Sequence, residues 1–99
     1  MPEFTQVRCV GMYHRGPEAV SIADALQPGD ELTLERDPMN PYDPNAVKVI
    51  CGDTWIGFIE RGVAAFLAHY LDEGTTYIAQ VEGHNGQYPL LTIREHEDA

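Results

Sequence analysis

A proline-rich segment, residues 36–49, carries side chains suited to recognising a ligand. Asn40, Tyr42 and Asp43 supply an amide, an aromatic face and a carboxylate within four residues of this segment. A proline recurs at every third position from 38 to 44, which fixes φ there and keeps each preceding residue extended. We therefore predict a stiff loop, neither a helix nor a central strand, that presents these side chains as a recognition surface. In the alternative interpretation, the Asn and Asp side chains only form turns with nearby backbone N–H groups.

A second group of aromatic and basic residues follows the first predicted strand as Tyr13, His14 and Arg15, and Arg61 stands at the start of the predicted long helix. Aromatic faces can stack on bases, and an arginine at a helix N-terminus can bind phosphate. A carboxylate beside them, such as that of Asp43, would accept a hydrogen bond from a sugar hydroxyl but repel a phosphate. Such a site would favour the end of a strand over its interior. Alternatively, the tyrosines only cover the open end of a barrel.

The sequence contains no arrangement of residues typical of an enzyme or a metal site. Its 16 Asp and Glu residues are scattered, as expected of a soluble surface. There is no nucleophile elbow, HExxH motif or phosphate-binding glycine loop. Asp37 and Asp43 share a loop, but it lacks the glycine and the final glutamate of an EF-hand. The four histidines and two cysteines do not have zinc-ligand spacing. We predict a non-catalytic protein with no metal or cofactor.

Composition limits the classes of partner. The 99 residues, 43% of them hydrophobic, predict one folded domain over residues 1–99. The formal charge of −10 predicts no long-range attraction to a polyanion, so any nucleic-acid contact must depend on a local patch. No apolar run is long enough to span a membrane and the first residues do not resemble a signal peptide. We therefore expect a cytoplasmic protein with reduced cysteines and no membrane contact.

Hydrophobic periodicity predicts a mainly β fold with helices, arranged as a small OB-like or SH3-like antiparallel barrel. The predicted strands cover residues 4–12, 31–36, 46–51, 55–59, 77–82 and 90–94, and the predicted helices cover about 17–26 and 62–73. Residues 13–16 and 83–86 are predicted turns, and residues 95–99 a frayed tail. We expect Trp55 and Phe66 to lie in the core, the latter in an apolar stripe with Val63, Leu67, Tyr70 and Leu71.

Five separated stretches carry a recognisable set of motifs. They are Val-Gly-x-Tyr at 10–13, Pro-Gly-Asp-x-Leu-x-Leu at 28–34, Arg-Asp-Pro-x-Asn-Pro-Tyr-Asp-x-Asn-Ala-Val-x-Val at 36–49, Ile-Gly-Phe-Ile at 56–59 and the helix at 64–71. Together they resemble the HIRAN domain family, and the Asn-Pro-Tyr-Asp-x-Asn-Ala-Val run is the most specific part. The resemblance implies a modified OB-like barrel that captures the 3′ end of single-stranded DNA. It also implies that Tyr42 stacks on the terminal base, that Asp43 accepts a hydrogen bond from the 3′-hydroxyl, and that Asn40 is a supporting polar contact.

The sequence departs from the family pattern at two places. The family's Arg-Tyr pair is replaced by Tyr13 and His14, so that His14 stands at the second stacking position and Arg15 lies one residue further on. Phe58 stands where the family has a phosphate-binding histidine, whereas Arg61 matches a basic position.

We therefore predict a stand-alone, non-catalytic module that binds a free 3′ end of single-stranded DNA weakly and with a small salt dependence. The alternative is an acidic protein-interaction module or DNA mimic that binds a basic, nucleic-acid-binding protein. The negative charge and the replaced phosphate contacts motivate that alternative.

Overall fold

The computed structural model describes residues 3–96 and contains, within that range, six strands and three helices. In chain order they are β1 (Glu3–Val10), α1 (Met12–Arg15), α2 (Pro17–Ala25), β2 (Glu31–Arg36), β3 (Val47–Cys51), β4 (Thr54–Ile59), α3 (Arg61–Asp72), β5 (Tyr77–Asn85) and β6 (Tyr88–Glu95). The strands close into a barrel in the order β1-β4-β3-β2-β5-β6, and every pairing is antiparallel. The prediction of a mainly β, antiparallel barrel is therefore confirmed.

The barrel interior is filled by the alternate residues of each strand, because successive side chains point to opposite faces. Thus Val47 and Val49 of β3 and Leu91 and Ile93 of β6 are all fully buried. Strand β1 closes the barrel: its first part pairs with β6 and its last two residues pair with β4. Within the part that pairs with β6, the register shifts at a bulge between Phe4 and Val7, where Gln6 has a φ of 54°. A bulge bends a strand, which lets β1 belong to both sides of the barrel.

Helix α3 begins within one residue of its predicted start and ends at a glycine turn. The Gly74 N–H donates to Leu71 O and the Thr75 N–H donates to Tyr70 O, which is the Schellman arrangement favoured by a glycine with positive φ. The helix buries Ala64, Leu67 and Ala68. The placement of Phe66 in the core was wrong, since its side chain is 64% exposed. Alanine, leucine and alanine at positions i, i+3 and i+4 form the packed face, and Phe66 projects away from it.

The region between β1 and β2 contains two helices. The predicted strand to Met12 and the predicted turn at 13–16 were wrong, because β1 ends at Val10 and residues 12–15 form α1. Gly11 and Gly16, with φ of 80° and 109°, flank this single turn, and the Met12 side chain anchors it in the core. The predicted helix over 17–26 is confirmed as α2, with Ala19 and Ala23 buried.

The β5–β6 hairpin is longer than predicted. Strand β5 continues to Asn85 and pairs with Tyr88, so the turn lies at 86–87 and not over 83–86. Glu95 pairs with Tyr77 inside the sheet, which corrects its assignment to a frayed tail, and residues 97–99 lie outside the described range. Both cysteines are free thiols, and burial raises the pKa of Cys9 to about 12. Within residues 3–96, no helix combines the length and apolar character needed to cross a membrane.

Candidate nucleic-acid interface

The loop between β2 and β3, residues 37–46, is held in one conformation by its own side chains. Asn40 Oδ1 accepts hydrogen bonds from the N–H groups of Tyr42 (2.9 Å) and Asp43 (3.0 Å), and Asn40 Nδ2 donates to Asp37 (3.1 Å). Asp43 Oδ1 accepts from the Asn45 N–H at 2.9 Å. The turn-forming role considered for these residues is therefore real. It also fixes Tyr42, whose side chain makes none of these bonds and is 86% exposed.

Arg36, the last residue of β2, fastens this loop to the barrel and to α3. Its guanidinium donates to the carbonyl oxygens of Ala46 (2.8 Å) and Pro44 (2.9 Å), and Nε lies 2.9 Å from Asp72 Oδ1. The hydrogen bond from Arg36 holds the pKa of the Asp72 carboxyl below its ordinary value. Because a lowered pKa means that folding favours the charged form, this pair stabilises the fold above the ordinary pKa of aspartate. The contribution is lost as the pH falls through the lowered value.

We expect Arg36→Met to lower the free energy of unfolding by about 1.5–3 kcal/mol, the range for hydrogen bonds to a charged group. The substitution keeps the apolar stem but removes every donor to the loop carbonyls. Urea unfolding at pH 7 measures the change, and hydrogen exchange of the residue 37–46 amides reports on loop order.

Asp72→Asn is the matched control for Arg36→Met. It removes the ion pair while leaving both carbonyl contacts, so its effect should be clearly smaller than that of Arg36→Met. Identical unfolding curves for the two variants would mean that the bonds to Pro44 and Ala46 contribute nothing to the free energy of unfolding.

Two adjoining cavities flank this loop and share Asn40, Tyr42 and Phe58 as walls. The smaller, here called the inner cavity, has a volume of about 200 Å³ and is lined by Val10, Asn40, Tyr42, Asp43, Ala46, Phe58, Ile59 and Arg61. The larger, the outer groove, has a volume of about 640 Å³ and is lined by Gly11, His14, Arg15, Asp37, Asn40, Pro41, Tyr42, Trp55 and Phe58. Seven of the eight candidate residues from the sequence thus line the depression formed by these two adjoining cavities.

Tyr13 is the candidate residue that lies apart from this depression. It lines a separate hollow with α2 residues, including Pro17 and Val20. The reason is local: helix α1 turns successive side chains by about 100°, so His14 and Arg15 face the outer groove while Tyr13 faces α2.

The inner cavity combines an acceptor and a cation. Asp43 Oδ2 lies 3.8 Å from Arg61 Nε; the carboxylate is largely sheltered, at 18% exposure, whereas Arg61 is 79% exposed. A sheltered carboxylate that accepts only one backbone hydrogen bond retains lone pairs for a hydroxyl donor. Because Arg61 is exposed, its guanidinium can bind an anion from solvent while it remains next to the Asp43 carboxylate. Among residues 3–96 no cluster of three His, Cys, Asp or Glu side chains could hold a metal ion.

Trp55 is a site residue that the sequence interpretation missed by assigning it to the core. Its ring is half-buried, lines the outer groove, and donates from the indole N–H to Gly57 O at 2.9 Å. The signal was present in the alternation of the strand, since adjacent Trp55 and Ile56 point to opposite faces and only one could enter the barrel. Ile56 is the one that is buried.

Comparison with known proteins decides the family. The family model described as HIRAN domain matches residues 3–96. The chain belongs to the HIRAN domain family. Mouse helicase-like transcription factor is 44% identical over 54 residues, or 52% of this chain and 5% of that protein. The rice Fanconi-associated nuclease 1 homolog is 41% identical over 51 residues, or 48% of this chain and 5% of that protein.

Solved structures agree with this HIRAN assignment at the level of the fold. The HIRAN domain of human helicase-like transcription factor superimposes with a TM-score of 0.76 at 23% identity, covering 94% of this chain and 74% of that one. A protein from Lactobacillus plantarum gives a TM-score of 0.77 at 24% identity, covering 96% of this chain and 100% of that one. HIRAN domains are DNA-binding modules. This chain spans about a twentieth of the length of the curated relatives it matches, some of which are enzymes by name.

Proposed function

We propose that this HIRAN domain recognises the free 3′ end of single-stranded DNA and catalyses no reaction. The main observation in its support is that the loop held by Arg36 carries both an exposed aromatic ring, Tyr42, and a sheltered carboxylate, Asp43. Tyr42 would stack on the terminal base, and Asp43 would accept a hydrogen bond from the 3′-hydroxyl. Arg61 would bind the phosphate of the same nucleotide.

The inner cavity favours a strand end because of its charge. A 3′-hydroxyl can donate to Asp43, whereas a 3′-phosphate or a continuing strand would bring a negative charge against the carboxylate. Two unit charges of like sign about 4 Å apart repel by about 4 kcal/mol at an effective dielectric constant of 20. Arg61, 3.8 Å from the carboxylate, offsets part of this repulsion. A clear preference for the hydroxyl end therefore remains.

The overall charge limits the affinity. With a formal charge of −10, the chain gains little from long-range steering, so binding depends on the few cations at the site. Each phosphate neutralised on a single strand contributes about −0.7 to the slope of log K against log salt. We expect weak to moderate binding with a total slope corresponding to only a few phosphates.

The proposal is tested by fluorescence anisotropy with two labelled oligonucleotides that differ only at the 3′ terminus. Wild-type protein should bind the 3′-hydroxyl form at least about tenfold more tightly than the 3′-phosphate form, a difference of about 1.4 kcal/mol. In Asp43→Asn the preference should shrink, because the amide no longer repels the phosphate.

Asp53→Asn provides the control, since it removes one exposed carboxylate from the β3–β4 turn and should leave the preference intact. Equal wild-type affinity for both termini would contradict end recognition and indicate contacts along the strand. Binding to neither oligonucleotide would contradict the proposal and favour the acidic module that binds a basic protein.

A further inference from the structure

The basic residues of this chain divide into two groups. Arg8, Arg36 and Arg61 each lie within 4 Å of a carboxylate, at 3.6 Å from Glu60, 2.9 Å from Asp72 and 3.8 Å from Asp43. Within residues 3–96, Arg15, Lys48 and Arg94 form no ion pair. Two of these three, Arg15 and Lys48, contact the same aromatic ring.

That ring is Trp55, on the wall of the outer groove. The Arg15 Cζ lies 3.5 Å from the ring centroid, and Arg15 Nε donates to the Trp55 carbonyl oxygen at 3.3 Å. Lys48 Nζ lies 4.2 Å from the same centroid. The ring is itself fixed, since its N–H donates to Gly57 O and it lies nearly perpendicular to the Phe58 ring at a centroid distance of 5.3 Å.

This cluster carries two positive charges, and within residues 3–96 neither forms an ion pair with a carboxylate. Two like charges that share one ring repel each other, and a cation–π contact at a partly exposed site returns only about 0.5–1 kcal/mol each. An anion bound in the outer groove next to the Arg15 guanidinium would offset this repulsion. The Arg15 guanidinium is held over the indole ring and by its Nε hydrogen bond, and its remaining N–H groups can donate to phosphate oxygens.

We propose that Arg15, Trp55 and Lys48 form a second phosphate subsite, which binds an internal phosphodiester of the strand whose 3′ terminus occupies the inner cavity. The outer groove lies next to the inner cavity, since Tyr42 and Phe58 line both, so consecutive nucleotides of one strand can occupy the two. Arg15 and Trp55 line the groove, and Lys48 contacts the same ring without lining it. This inference rests on the proposed function and adds the contact that sets the path of the strand away from its end.

Neutralising substitutions test the subsite directly. Arg15→Gln and Lys48→Gln should each weaken binding of a 3′-hydroxyl oligonucleotide roughly three- to tenfold at low salt, the range for one partly desolvated charge contact. Each should also reduce the salt slope, by no more than the about 0.7 that one phosphate contributes, because both side chains serve the same phosphate. Arg94→Gln is the matched control, because it removes the same charge from an exposed position on β6 that lines neither cavity. It should leave both the affinity and the slope nearly unchanged.

An uncharged methylphosphonate placed at the first, second or third linkage from the 3′ end locates the contact. At one of these linkages, wild-type protein should lose about the same affinity as Arg15→Gln does with the natural strand. At that linkage Arg15→Gln should lose little more, because a double-mutant cycle shows coupling only between groups that touch.

Trp55 is tested as the positioning residue. Trp55→Leu should lower affinity and flatten the salt dependence, whereas Trp55→Tyr keeps an aromatic face and should retain most of both. Thermal unfolding of both variants verifies that each one folds.

The outcomes separate the subsite from the proposed function. If Arg15→Gln and Lys48→Gln bind like Arg94→Gln while the 3′-hydroxyl preference persists, the subsite is overturned and end recognition stands. Reduced affinity with an unchanged 3′-hydroxyl preference supports both. If wild-type protein binds neither terminus, both proposals fail.

Discussion

Tyr42→Ala should weaken binding of a 3′-hydroxyl oligonucleotide by about 5- to 150-fold, since stacking on an aromatic face is worth ~1–3 kcal/mol per base. The free energy of unfolding should hardly change, because the Tyr42 side chain is 86% exposed and supports no other residue through a hydrogen bond. Its backbone N–H, which Asn40 holds, is retained in the variant. Anisotropy titration and urea unfolding of the same preparation measure the two quantities.

Met39→Ala is the control that the loop itself offers. Met39 is 88% exposed on the same segment and lines neither the inner cavity nor the outer groove. Its truncation should leave affinity within a factor of about two, well below the loss of a stacked base. A Tyr42→Ala variant that binds as tightly as wild type would remove the main support for the proposed site.

Gly57→Ala should destabilise the barrel by about 1–3 kcal/mol, the usual cost of forcing an extra methyl group into a packed core. A Cβ at this position would lie 2.5 Å from the Val10 carbonyl oxygen and 3.1 Å from the Cys9 Sγ. The first is a backbone atom of β1, so β1 and β4 must move apart to accommodate the methyl group. Since the neighbouring Phe58 lines both cavities, DNA affinity should fall as well.

Gly62→Ala is the matched control for Gly57→Ala. Its added Cβ would have no neighbour within 4 Å, and it lies in the first turn of α3, where alanine is favoured over glycine by up to about 1 kcal/mol. It should be neutral or stabilising in urea unfolding. If Gly57→Ala has the same free energy of unfolding as the wild type, the close approach of β1 and β4 is contradicted.

The strands were predictable because each one shows a local signal that barrel burial reinforces. The alternation of apolar and polar residues in β2 and β3 predicts that Leu32, Val47 and Val49 point into the barrel. All three are buried. The specific run in the β2–β3 loop likewise identified Tyr42 and Asp43 as neighbours on a stiff segment, and both line the inner cavity.

Two of the errors in the prediction, at Phe66 and at residues 12–15, have different physical causes. Phe66 fits the apolar stripe predicted for the helix. Helix α3 instead packs against the barrel through Ala64 and Ala68, whose small side chains allow a close approach. The helical turn at residues 12–15 is too short to have a period of its own. It forms because the Met12 side chain is buried and glycines with positive φ stand on either side.

The brace on the binding loop could not have been inferred from spacing. Arg36 contacts Pro44 and Ala46, 8 and 10 residues away, and Asp72, 36 residues away. Only the closed barrel brings the end of β2 next to the last turn of α3. The same is true of the cations on Trp55, which come from α1 and β3.

Strands β1 and β4 close the barrel through two residue pairs, Cys9–Ile59 and Val10–Phe58, and Arg8 and Glu60 extend this junction by two hydrogen bonds. Three of the four paired residues also line or adjoin the inner cavity, where Val10, Phe58 and Ile59 form one wall. A nucleotide in that cavity would contact both strands and would therefore stabilise their junction. Local opening of this junction should therefore compete with binding, because a ligand that binds only the closed form stabilises it by an amount that grows with the logarithm of the ligand concentration above its Kd. If the proposed function is right, occupancy of the inner cavity and closure of the β1–β4 junction are thermodynamically coupled.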